Sequence, residues 1–119
     1  MASLEMRGSF DLNTETIDNQ VTKISPGNYA LGHINKENNH FIVEYVGRAD
    51  SDVNGKLKQH VGEKYKKFKY SYATSPKAAF QKECRDYHEF GENQKLDNKI
   101  HPDKSEDTFW KCPYCDICN

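Results

Sequence analysis

At 119 residues the chain is long enough for one modest core, but too short for a catalytic domain joined to a separate recognition domain. It is 35% hydrophobic, with no apolar run of membrane-spanning length and no charged-then-apolar leader; this argues against a membrane protein or an exported one and for a cytoplasmic location, or a nuclear one in a eukaryote. A net charge of −1 argues against nucleic-acid binding by bulk charge, although Lys56, Lys58, Lys64, Lys66, Lys67 and Lys69 form a local basic stretch in which Glu63 is the only acid.

In chain order, residues 1–25 are polar, lack a strong period and read as a loosely attached extension with a weak β pattern. Pro26-Gly27 opens the main domain, taken as residues 26–103. Residues 29–34 and 41–46 are rich in β-branched and aromatic side chains around the turn formers "NKENN", which predicts an antiparallel hairpin. "SDVNGKLKQHVG" then offers Ser51 or Asp52 as N-cap, an apolar stripe of Val53, Leu57 and Val61, and Gly62 as a stop. On that helix His60 falls within the stripe and Lys56 along its edge. Phe68, Tyr70 and Tyr72 alternate with polar residues as a half-buried strand. Ser75-Pro76 starts a second helix, whose core arc is Phe80, Cys84 and Tyr87 with Glu83 close beside it, and Gly91 ends it. "LDNKIHP" follows as a structured loop.

Three of the four cysteines crowd the last eight residues, a poor pattern for a disulfide framework and a better one for metal. Cys84 and His88 stand one helical turn apart, and "CPYC" places Cys112 and Cys115 in a knuckle. Together they make a tetrahedral Cys3His set for a structural Zn2+, with His101 and Cys118 as competing ligands. Residues 104–119 thus read as a cysteine-rich tail stapled by zinc onto the same small domain. The expected fold is α+β: a small antiparallel sheet of about three strands flanked by helices, with a zinc-tied C-terminal tail.

The order Gly27-Asn28-Tyr29, Tyr45-Val46-Gly47, a basic helix ending in His60, Glu83 on a later helix and then Asn98 resembles the GIY-YIG nuclease family over roughly residues 26–102. By that resemblance Tyr29 and Tyr45 are the tyrosines of the two tripeptides, Glu83 is the single acidic ligand for Mg2+ or Mn2+, and Asn98 is the late asparagine. Lys56 occupies the position where the family usually carries arginine, so Arg48 is the candidate for the missing bidentate fork on phosphate. The resemblance implies a metal-dependent endonuclease acting on DNA.

Phosphodiester hydrolysis needs an activated water, positive charge on the phosphoryl oxygens and a stabilised leaving oxygen. Glu83 would hold the ion, Tyr29 or His60 would relay the proton, Tyr45 would orient water or phosphate, and Lys56 and Arg48 would steady the developing charge. Lys58, Lys64, Lys66, Lys67 and Lys69, with aromatics interleaved, would follow the nucleic-acid backbone. Singly, each residue has a plainer reading as a cross-strand aromatic, a satisfied histidine, a helix-edge carboxylate or a turn cap. The competing functions are a nuclease-like nucleic-acid-binding module without turnover, and a structural zinc protein that binds another protein.

Overall fold

The hairpin forms where its residues predict it. Strands β2 (Gly27–Ile34) and β3 (Phe41–Ala49) pair antiparallel with Tyr29 opposite Gly47 and Leu31 opposite Tyr45. A register shift between Leu31 and Gly32 marks a bulge. The connecting turn is closed by Asn side chains: Asn35 Oδ1 accepts from Glu37 N, Asn38 Oδ1 accepts from His40 N, and Asn39 adopts φ 59°. The computed structural model describes residues 6–90 and residue 96; Asn98, His101, Cys112, Cys115 and Cys118 lie outside them, as do the expected Gly91 stop and the cysteine-rich tail.

Among the described residues the expected small antiparallel sheet has four strands, in the order β1-β4-β2-β3, and with its helices makes the α+β fold. Strand β1 (Arg7–Asp11) pairs with β4 (Lys67–Tyr72), and helix α1 (Thr14–Gln20) follows it. Residues 7–21 of the stretch taken as a loose extension therefore belong to the sheet and core. Ile17 and Val21 are fully buried, Asn13 caps α1 by accepting from Thr16 N, and Tyr70 donates its hydroxyl to Gln20 O at 2.8 Å.

Alternation along the strands assigns the two faces. Tyr29, Leu31, Phe68 and Tyr70 pack with Ile17 and Val21 beneath α1 and with Val53 and Leu57 of α2 (Val53–Lys58). Ala30 and Val46 point the other way, toward Tyr87 of α3 (Pro76–Glu89) and Leu96. Ser75 caps α3 by accepting from Ala78 N, with Pro76 at its first turn. Helix α2 stops at Lys58, short of Val61: its next turn tightens to Gln59 N on Lys56 O and His60 N on Leu57 O. Gly62, at φ +96°, ends the run. Among the described residues no helix is long and apolar enough to cross a membrane.

Candidate active site

On the α2 face, Tyr29 sits at the centre of an aromatic group. It is buried, and its hydroxyl lies 3.0 Å from His60 Nε2. The Tyr45 ring stacks at 6.3 Å from Tyr29, His60 lies 5.4 Å from both tyrosines, and Tyr65 backs Tyr45 at 6.1 Å. Gly47 explains how Tyr29 fits: directly across the ladder, a β-carbon at position 47 would overlap the end of the Tyr29 ring. The glycine of the second tripeptide is the space the first tripeptide's tyrosine occupies. Burial pushes the Tyr29 phenol far above its usual range, with the neighbouring Tyr45 and Glu83 adding to the shift. Tyr45 moves the same way, through burial and then Glu83 and Glu63. Both phenols are therefore protonated near neutrality, and Tyr29 is a donor rather than a standing phenolate.

On the α3 face the site is charged. Glu83 lies within the buried arc of α3 that includes Ala79, Phe80, Cys84 and Tyr87. Its Oε1 accepts from Arg48 Nη1 at 2.7 Å, while Arg48 Nε donates to Asp50 Oδ1 at 2.9 Å and the guanidinium lies over the Phe80 ring. Burial raises the Glu83 carboxyl to about 7, and the Arg48 guanidinium only partly opposes the shift. For Arg48, burial disfavours the charge, but the carboxylates of Glu83 and Asp50 outweigh it and raise the pKa. The fork expected to clamp a phosphate is thus engaged by two carboxylates. Buried Asn28, one residue before Tyr29 and so on the opposite face, donates to Ala79 O at 2.8 Å. That carbonyl is four residues before Glu83, so Asn28 ties the hairpin to the turn of α3 that carries the carboxylate.

Both halves open on one cleft of about 630 Å3, lined by Tyr29, Tyr45, Arg48, Asp50, Lys56 and Glu83 among others. Lys56 is exposed at its rim. Among the described residues no group of three or more His, Cys, Asp or Glu is gathered for a metal. The buried Glu83 carboxylate, on a cleft roomy enough for a hydrated ion, nonetheless suits Mg2+ or Mn2+, hard ions that keep several water ligands and accept phosphate oxygens. Arg48 already supplies a cation on one oxygen of that carboxylate.

The basic stretch does not form one surface. Lys58 pairs with Asp18 of α1 at 2.6 Å, and Lys67 pairs with Asp11 of β1. Alternation in β4 turns Lys67 and Lys69 to the α3 face, with Lys69 over the Phe41 ring, away from Lys56 and Lys58 on α2. Lys64 lies over Tyr65, and Lys66 is exposed in the connection before β4. Of the expected zinc ligands, Cys84 is fully buried on α3 with His88 one turn on and half-buried, while Cys112 and Cys115 fall outside the described residues.

Sequence reasoning missed Asn28, Asp50 and Glu63 as parts of this site. Asn28 carried a signal, since alternation from Tyr29 turns it toward α3; Asp50 carried one too, two residues after Arg48 and so on its side of the strand, whereas Glu63 meets His60 through the reversal at Gly62. No family model, no curated protein and no solved structure matches the chain.

Proposed function

We propose that the chain is a metal-dependent endonuclease of the GIY-YIG type that hydrolyses DNA phosphodiester bonds. The supporting observation is the cleft itself: Tyr29 from β2, Tyr45 and Arg48 from β3, Lys56 from α2 and Glu83 from α3 line one space, with His60 hydrogen-bonded to Tyr29. Glu83 would hold Mg2+ or Mn2+, which when bound supplies positive charge against the phosphoryl oxygens. The attacking water oxygen forms the new P–O bond and gives its proton to the Tyr29–His60 pair. The bond to the leaving oxygen breaks with its electron pair retained on that oxygen, which takes up a proton from solvent. Tyr45 orients water or phosphate, and Lys56 and Arg48 place positive charge beside the phosphoryl group. Of the basic stretch, the exposed Lys64 and Lys66 supply phosphate contacts outside the cleft, whereas Lys58, Lys67 and Lys69 are engaged elsewhere in the fold.

The engagement of Arg48 with Glu83, together with lysine at position 56, favours a second reading: a nucleic-acid-binding module in which the carboxylate is satisfied without a metal and no bond is cleaved. One experiment separates the two. Purified protein is offered branched, flapped, duplex and single-stranded DNA and RNA with Mg2+ or Mn2+. Metal-dependent cleavage that falls at least about 100-fold in Glu83→Ala is the expected result. Binding without cleavage would select the second reading, and equal cleavage by the mutant would remove Glu83 from its role.

A further inference from the structure

The turn after α2 does more than end a helix. Gly62 adopts φ +96°, and a β-carbon there would meet nothing within 4 Å, so glycine is needed for its backbone conformation and not for space. The reversal closes Glu63 N on His60 O at 3.2 Å and brings the Glu63 side chain back to the same residue, with Oε1 2.8 Å from His60 Nδ1. The other ring nitrogen, Nε2, faces the Tyr29 hydroxyl. A carboxylate only accepts hydrogen bonds, so a neutral His60 carries its proton on Nδ1 and turns the Nε2 lone pair toward Tyr29 O–H. His60 is largely enclosed, with 15% of its side chain exposed, whereas Glu63 is 48% exposed. The groups facing the imidazole are Tyr29 from β2, Tyr45 from β3 and Glu63, with Lys56 one turn earlier on α2.

We propose that Glu63 is a positioning residue that holds His60 in the Nδ1–H tautomer, making Nε2 the acceptor for the Tyr29 proton. Its part in catalysis rests on the endonuclease reading above; its hold on the tautomer does not. In the relay the attacking water gives a proton to the phenolic oxygen of Tyr29 while the phenolic proton passes to Nε2. No heavy-atom bond changes in the relay, and the imidazolium that forms lies against the Glu63 carboxylate until it returns a proton to solvent. A single hydrogen bond to a carboxylate that is itself half exposed adds little to stability, so the effect of Glu63 is on which nitrogen is basic.

Nitrogen NMR of the histidine rings in the full chain tests the tautomer, and cleavage kinetics test its use. The His60 ring of the wild type, observed in its neutral form, is expected to show a protonated Nδ1. Glu63→Gln, which keeps an acceptor oxygen, retains that pattern, and Glu63→Ala shifts the ring toward Nε2–H. In the cleavage assay Glu63→Ala is expected to lower kcat by about 10- to 100-fold with KM changed less than about twofold, and Glu63→Gln to recover much of the loss. A wild-type ring protonated on Nε2, or a ring unchanged in Glu63→Ala, overturns the proposal. The expected tautomers in a protein that cleaves nothing would uphold the hold of Glu63 on His60 and overturn the endonuclease reading instead.

Discussion

Strand β3 has two sides that solve different problems. Tyr45, Gly47 and Ala49 face α2, where the uncharged phenols of Tyr29 and Tyr45 gather with Tyr65 and His60 in an aromatic group that gains from burial. Arg48 faces α3, where it meets Glu83 with both side chains about nine-tenths buried. Burial disfavours that pair as such; it holds because each charge answers the other. Gly47 leaves the space in which the Tyr29 ring sits, and both sides line one cleft at the edge of the described sheet. The neutral side should therefore tolerate loss of a polar atom, and the charged side should not.

The sharpest break is Arg48→Met. It removes the guanidinium but keeps most of the apolar volume over Phe80, leaving Glu83 without its partner where water is scarce. At about pH 8 the expected loss is about 3 kcal/mol of unfolding free energy, measured in urea. The loss should shrink near pH 5, because the stranded carboxyl then takes up a proton. The wild type carries a weaker form of the same dependence. Its Glu83 carboxyl titrates at about 7 in the fold against 4.5 as the ordinary value, so the folded chain binds more protons between those limits. That contribution to stability is fully present below 4.5 and is lost as pH rises through about 7. Glu83→Gln should flatten this part of the profile, and a slope unchanged in that variant would assign the dependence to another group.

The two sides were also unequally legible. Tyr29, Tyr45 and Gly47 could be placed because a period of two and a short asparagine-rich turn fix both face and approximate register. Glu83 could be placed near the core arc by helical phase alone. Its pairing with Arg48 could not, because that depends on α3 packing against the second face of the hairpin. The N-terminal strand and helix escaped for a simpler reason. "RGSFD" contains one large apolar residue and "TETIDNQ" has only Ile17, and a period cannot be read from one point. Glu63 escaped because a helical wheel no longer applies beyond the reversal at Gly62.

Gly47→Ala tests the boundary between the two sides. The added methyl would enter the space of the Tyr29 ring, which is 1% exposed and enclosed by the core. The expected cost is about 2 kcal/mol, seen as a lower melting temperature. Loss of the Tyr29–His60 hydrogen bond should accompany it, reported by the His60 ring nitrogens, while Arg48 and Glu83 remain paired. A stable variant with unchanged ring shifts would mean that the strands part easily at this point and that Gly47 is not what seats the tyrosine.

Tyr29→Phe should have the smallest effect on stability and so gives the finest test of the comparison. The ring stays, and with it the packing on Tyr45, Leu31 and the rest of the α2-side core. Only the hydroxyl is lost, together with one hydrogen bond to His60, so the expected cost is about 1 kcal/mol. Because the phenol is buried and protonated, its removal leaves no charge stranded, unlike the loss of Arg48. The proton path to His60 is nevertheless cut, and cleavage should fall by about 100-fold in a protein that melts almost as the wild type does. Paired measurements of melting and cleavage check this. A loss of stability comparable to that of Arg48→Met would show that the hydroxyl holds the fold together and that the neutral side is no more tolerant than the charged one.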